Sequence, residues 1–301
     1  MIARLRKDLI RNKMAYLFAL PAVVLLFIFA YIPMYGIVVA FQDYRPALGF
    51  FNSPWVGLEH FRRFFTLPNA WPLFRNTLQI SLRSILIGFP APIIFAILLN
   101  ELKDGKFKRI SQTISYMPYF ISLVVVAGMV RSFLSFDGML NAIVGNFGIR
   151  PQSYLINPGI FQNIIVFTGL WMRLGWNSII YLATLSGVDQ QVYEAASVDG
   201  CGRLRKIWHV TLPGITPTII ILLILNIGSL LADHSSLILL LYSPLVFETG
   251  DVIGTYIFRE GIQGGNFSFS AAIGLFQTVI NFCLLILANT IAKKTSEHSL
   301  W

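Results

Sequence analysis

Residues 194–213 read EAASVDGCGRLRKIWHVTLP, and the rest of the chain is read outward from them. The stretch is polar, carries charge on both sides of Gly200, and ends on Leu212-Pro213, where a long apolar run begins. Val192 to Val198 and Leu204 to Val210 each have helix-forming composition. Asp199-Gly200 between them is a turn signal, because glycine accepts positive φ at little steric cost. Pro213 suits the first turn of a following helix, where its missing N–H is no loss. The expected local structure is a helix, a tight turn and a second helix. An apolar face on such a pair can enter a groove on another chain.

The 301 residues are 55% hydrophobic and only 12% charged, with mean hydropathy +0.68. Soluble domains carry about a quarter charged residues, so this is an integral membrane protein. Six segments reach the roughly 20 apolar residues that a helix needs to cross a bilayer: 14–41, 78–100, 112–133, 161–186, 213–232 and 270–292. Backbone groups in lipid must bond internally, which makes helix the expectation for each. None alternates as a barrel strand does. The first run exceeds a signal-peptide core of roughly 7–15 residues and ends in no small-x-small site, so it is read as a retained helix.

The net charge of +9 follows the sidedness of membrane proteins rather than a nucleic-acid footprint. With the N-terminus inside, 14 of the 23 Lys and Arg fall in the inner segments and 6 in the outer ones. The other three, Arg83, Arg131 and Arg173, fall within spans. This bias predicts an all-α membrane protein of six transmembrane helices with both termini cytoplasmic. Residues 1–13 form a basic cytoplasmic N-terminus, 14–292 the membrane domain, 187–212 a cytoplasmic loop and 293–301 a cytoplasmic tail. The two Cys are far apart and have neither disulfide-framework nor metal spacing.

Glu194, Ala195, Ala196, Asp199, Gly200, Leu212 and Pro213, at these spacings before the penultimate span, resemble the EAA loop of binding-protein-dependent ABC importer permeases. Cys201 stands where that family usually has Ala. Similarity to the complex-sugar branch, with its maltose-permease-like fold, continues through SPWVGLEHF (53–61), FRNTLQISL (74–82), FPAPIIFAILLNEL (89–102), QTISYMPYFIS (112–122) and LLLYSPLVFETGDVIGTYIFREGI (239–262). Tyr119 stands where a His is common, and 232–236 departs from an Asn-Ala-Gly-Phe pattern. The resemblance implies a multi-pass subunit of a bacterial cytoplasmic membrane that moves an oligosaccharide or polysaccharide fragment by alternating access. It also implies three partners: a second homologous permease, a dimeric cytoplasmic ABC ATPase and an extracellular solute-binding lipoprotein. ATP and Mg2+ then belong to the ATPase, and this chain is non-catalytic and binds no cofactor. The loop from Glu194 through Arg203 to Pro213 would receive the ATPase's motion. Glu194 would orient it by an ion pair or a helix N-terminal contact, and Gly200 would allow a tight turn.

Polar residues inside spans are costly and face the bundle interior or water. Arg173, Trp176 and Asn177 of the fourth span, with Asp233, His234 and Tyr242 after the fifth, are the candidates for the substrate path. Arg173 equally suits a structural pairing, and Asp233-His234 equally suits a helix cap. Arg83 and Arg131 are expected to snorkel. Leu237 to Tyr242 is too short to span and too apolar for a solvated loop, which predicts a broken or re-entrant element. The ten aromatics from Phe41 to Phe74 predict an interfacial belt, part of it on short amphipathic helices. The chain has no GxxxxGK[ST], HExxH or GxSxG motif, and His60, His209, His234 and His298 are scattered. The rival readings are a secondary transporter or channel without an ATPase, which calls for inverted repeats or a carboxylate relay, an intramembrane enzyme, and an importer of a non-sugar polar solute.

Overall fold

The computed structural model describes residues 11–231, 234–296 and 299–301. Arg4, Arg6, Lys7, Ala232, Asp233 and His298 lie outside the described residues, and with them the Asp233 part of the expected path. The described residues are helical apart from loops and one isolated bridge, Gln42 to Trp55. The chain divides into two compact units, 1–66 with 259–275 and 67–258 with 276–301.

In the first unit, α1 (Lys13–Leu26) continues through a π-turn at Phe27–Tyr31 and short helical turns to Phe41. The π-turn is centred on Phe29, four residues before Pro33. The proline ring clashes with the carbonyl at that position, and one wide turn relieves the clash. Leu17, Phe18, Leu25 and Phe29 are exposed on this helix, an apolar surface that lipid can cover. Two short helices, α2 (Gly49–Asn52) and α3 (Glu59–Thr66), carry part of the aromatic loop. Phe64 and Phe269 are buried, and the Arg63 guanidinium lies 4.6 Å from the Phe269 ring centre. Tyr44 N–H donates to Ser268 Oγ at 2.8 Å.

The second unit contains α4 (Ala70–Gly88) and α5 (Pro90–Glu101), which meet at Phe89. Then come α6 (Lys106–Tyr116), α7 (Leu123–Phe133), α8 (Met139–Gly145) and α9 (Pro158–Ser186). The loop helices are α10 (Gln190–Val198) and α11 (Arg203–Lys206), followed by α12 (Leu212–Gly228). After the break come α13 (Ser235–Leu241), α14 (Phe247–Gly250) and α15 (Ile253–Ile257). The last helix is α16 (Phe267–Thr295), whose residues from 276 onward belong to this unit.

Among the described residues, four helical stretches are long and apolar enough to cross a membrane: Lys13–Phe41, Ala70–Glu101, Arg203–Gly228 and Phe267–Thr295. The expected span 112–133 differs. It is two helices, Lys106–Phe120 and Leu123–Phe133, bent by 101°. Pro118 opens a 3-10 turn there, and Ser122 caps α7 by accepting from Val125 N–H at 3.3 Å. The expected span 161–186 lies within α9, which is long enough but less apolar. α9 is started by Asn157, whose side chain accepts from Gly159 N–H at 3.0 Å, with Pro158 at its first position. It buries Gln162, Thr168 and Ser178 as well as Phe161, Ile165 and Tyr181. A helix that packs against protein on several sides does not need a lipid-facing composition all round.

Apolar clusters of buried side chains hold this unit. Ile80 of α4, Ala127 of α7, Phe161 and Ile165 of α9, and Leu237, Ile238 and Leu241 of α13 form one. Ile93 and Ile97 of α5, Tyr181 and Leu185 of α9, and Ile215 of α12 form another. The expected element at 237–242 is therefore a seven-residue helix, Ser235–Leu241, whose Leu237, Ile238 and Leu241 are buried in protein. Arg131, expected to snorkel, instead donates through Nε at 3.0 Å, and through Nη2, to Leu240 O at the end of α13. Arg83 donates to Asn163 Oδ1 at 3.1 Å. Both bonds tie these side chains to neighbouring helices.

Candidate functional site

Two features carry chemistry, and the first is the polar loop. α10 starts at Asp189, whose side chain accepts from Gln191 N–H at 2.9 Å. It ends with Gly200 in the left-handed region, φ 74°. Cys201 N–H bonds to Ala196 O at 2.9 Å and Gly200 N–H to Ser197 O at 3.1 Å. This pair of bonds is the Schellman ending, and it explains a glycine after Asp199. The second arm is tied back by Lys206 Nζ to Ser197 Oγ at 2.6 Å and by Tyr193 Oη to Thr211 Oγ1 at 3.0 Å. Glu194, Ala195, Asp199, Gly200 and Arg203 are exposed, and Ala196 is half-buried. Val198 is 88% and Leu204 75% exposed, so the tip of the loop offers apolar surface.

Glu194 sits in the middle of α10 rather than at its start, and is exposed. Pro213 stands in the first turn of α12, as expected, but α12 continues the loop's second arm: Arg203–Gly228 is one 26-residue stretch, with a π-turn over Ile207–Thr211. The turn is centred on His209, four residues before Pro213, the same relation as at Pro33. The loop's second arm is thus rigidly continuous with a span.

The second feature is a polar cavity between α4, α5, α9 and α12. One lobe of about 80 Å³ is lined by Ser84, Gly169, Arg173, Asn177, Asn226, Ser229 and His234, among others. The other, of about 340 Å³, shares Arg173, Asn177, Asn226 and Ser229 and adds Tyr119, Trp176 and Tyr181. Tyr119 and Trp176 stack with ring centres 4.3 Å apart and planes 2° from parallel, and Phe120 stands edge-on to Trp176 at 5.6 Å. Gly175 makes this possible, because a Cβ there would collide with the Ser115 backbone and come within 2.9 Å of Tyr116. His234 adopts φ 78°, and its Nε2 lies 3.0 Å from Ser84 Oγ.

The structure therefore brings Arg173, Trp176, Asn177 and His234 together. Tyr242 is not among the cavity's lining residues. It packs on Phe247 at 5.1 Å and against the first apolar cluster, because α13 turns its end toward the core. Ser84, Tyr119, Asn226 and Ser229 were missed. Asn226 was visible as the lone amide in an apolar run, and Tyr119 as a departure from the His common at that position, though its stacking partner was not visible. A separate groove of about 1020 Å³, lined by Phe133, Phe167 and Trp171 among others, lies between α7, α8 and α9.

Apolar helices around a polar cavity, with an exposed helix–turn–helix loop rigidly joined to one of them, define an integral membrane transport subunit. The chain belongs to the family of binding-protein-dependent transport system inner membrane components, whose pattern it matches over residues 88–297. It is 42% identical over 299 residues to the polygalacturonan/rhamnogalacturonan transport system permease protein YteP of Bacillus subtilis (strain 168), covering 99% of this chain and 93% of that one. It is 41% identical to protein LplB of the same organism, covering 97% and 92%. A crystal structure of a bacterial ABC transporter involved in the import of the acidic polysaccharide alginate superposes with TM-score 0.89 at 37% identity, covering 97% of this chain and 99% of that chain. The bacterial alginate ABC transporter in complex with alginate pentasaccharide-bound periplasmic protein gives TM-score 0.90 at 36% identity, covering 99% and 100%. Membership in a binding-protein-dependent family sets aside the secondary-transporter and intramembrane-enzyme readings.

Proposed function

We propose that this chain imports an acidic oligosaccharide as one of two permeases in an ATP-driven complex, with both termini in the cytoplasm. The observation that carries the substrate class is the cavity. Arg173 is the one formally charged side chain on its wall among the described residues, and it lies beside a stacked aromatic pair and two amides. Aromatic faces suit the apolar faces of sugar rings, amides suit hydroxyls, and a guanidinium suits a carboxylate. The relatives named for polygalacturonan and alginate transport support an acidic sugar over a neutral one. Asp233 remains part of the proposed path, by its place beside His234.

The partners in this proposal are a second permease, two copies of an ATPase that holds ATP and Mg2+, and a solute-binding lipoprotein. Closure of the ATPase pair pulls the Glu194–Pro213 loop, and the continuous helix Arg203–Gly228 transmits that pull to the cavity wall. ATP and the loaded binding protein must favour the outward state over the inward one, since a ligand binding both equally shifts nothing. The test is ATP hydrolysis by the reconstituted complex, with binding protein presented with oligogalacturonides, neutral maltooligosaccharides or glycerol phosphate. Stimulation by the uronate alone is expected, and stimulation by glycerol phosphate alone would move the reading to a small polar solute. Gly200→Asp should leave the chain in the membrane but uncouple transport from hydrolysis, and wild-type transport in that variant would defeat the coupling role.

A further inference from the structure

The apolar run 213–232 holds no proline beyond Pro217, yet α12 stops at Gly228. Ser229 N–H bonds to Asn226 O and Leu230 N–H to Ile227 O, both at 3.2 Å. These are the tightened turns of a helix end. The next donor leaves the helix altogether. Leu231 N–H bonds to Asn281 Oδ1 at 3.0 Å, and Gln277 Nε2 donates to Leu231 O. Leu231 is 2% exposed and the two amide residues 9% each.

Gln277, Asn281 and Leu285 share one face of α16, since residues four apart are neighbours on a helix. The Leu285 side chain comes within 2.6 Å of the place where a Cβ on Gly228 would lie. Glycine at 228 thus lets the end of α12 approach this face closely enough for both amides to reach Leu231. In hydrocarbon a released N–H and C=O must find partners, and here a neighbouring helix supplies both. Ser229 and Leu230 before this point, and His234 after it, are cavity wall.

We propose that Gln277 and Asn281 are positioning residues for transport. They hold Leu231 out of the helix just past the end of α12 at Gly228 and so keep Ser229 and His234 in the wall of the polar cavity. Without them Leu231 N–H takes the helical bond to Ile227 O, α12 winds on, and the wall turns out of register. The effect on transport rests on the cavity being the substrate path; the effect on the helix end does not.

The experiment uses the complex purified with its partner chains in lipid nanodiscs, carrying Cys201→Ser, Cys283→Ser and Ser229→Cys. The rate at which a small polar methanethiosulfonate labels position 229 is measured. Gln277→Leu with Asn281→Leu is expected to slow labelling severalfold, whereas Asn281→Asp, which keeps an acceptor for Leu231 N–H, keeps the parent rate. An unchanged rate in the Leu pair, or an equal loss with Asp, overturns the proposal. If the pair fails to assemble, Gln277→Met alone is read the same way. With Ser229 restored, the Leu pair should raise the KM for trigalacturonate severalfold at matched amounts of complex; a merely structural role would lower the amount and leave KM alone. Absence of trigalacturonate transport by the native complex would count against the substrate reading, and labelling would still decide the helix stop.

Discussion

Gly200→Ala isolates the contribution of one backbone conformation to coupling. Gly200 has φ 74°, and nothing lies within 4 Å of the Cβ that alanine would add. The methyl therefore clashes with nothing in the chain, and the cost is conformational. A left-handed L-residue costs about 1–2 kcal/mol, which lowers the population of the closed turn by a factor of about 5–30. The turn carries the two Schellman bonds and holds the arms within reach of the Lys206–Ser197 bond, so its loosening reaches the apolar tip at Val198 and Leu204. Gly202 is the control, because it lies in the same loop at φ −69° with equally open space. The assay is sugar moved per ATP hydrolysed in proteoliposomes. Gly200→Ala should lower that ratio severalfold, Gly202→Ala should leave it unchanged, and Gly200→Asn should recover part of it, because Asn tolerates the left-handed region. Equal behaviour of the two alanine variants would refute the reasoning.

Three further outcomes follow from the second unit. Gly175→Val sets side-chain atoms into the Ser115 backbone, an overpacking of about 1–3 kcal/mol or more; its thermal midpoint in detergent should fall and Trp176 fluorescence should shift, and a wild-type midpoint would contradict the contact. Asn76→Leu removes the donor that reaches the Glu248 and Asp251 carbonyls at 2.9 and 3.0 Å; Glu248 O keeps Arg75 Nη2 at 3.2 Å, so the loss falls mainly on Asp251 O, and at about 1–3 kcal/mol for a buried group left unpaired calorimetry should show a lowered midpoint. On the proposed substrate reading, Arg173→Gln removes a charge-assisted bond of about 1.5–3 kcal/mol, so KM for an acidic oligosaccharide should rise roughly 10- to 150-fold. A neutral substrate's KM should not move, and equal changes in both would remove Arg173 from carboxylate recognition.

The loop at 194–213 was legible because its signals are local. Asp199-Gly200 specifies a left-handed turn whatever surrounds it, and the flanking arms have helical composition. Long apolar runs were legible for the same reason. The bend within 112–133 was hidden, since hydropathy is indifferent to the 3-10 turn that Pro118 and Ser122 impose. The central place of α9 was only half visible. Its polar residues marked it as unusual, but which faces they meet depends on four other elements. The contacts of Arg131 and Tyr242 were hidden for one reason: their partners, Leu240 O and Phe247, become neighbours only once α13 folds back. The helix stop before Leu231 left no mark in its own segment, because the residues that make it lie some 50 positions on. Glu194 lies in mid-helix because Asp189 takes the cap, which leaves Glu194 on the exposed surface of α10.

The central claim, that this chain is one permease of an ATP-driven heteromeric importer, is tested most directly by what accompanies it out of the membrane. Gentle detergent extraction, affinity capture of this chain and mass spectrometry of the intact complex should return one copy of it, one of a second permease and two of an ATPase. Release of a monomer or homodimer, under conditions that keep a related ABC importer whole, would contradict the account.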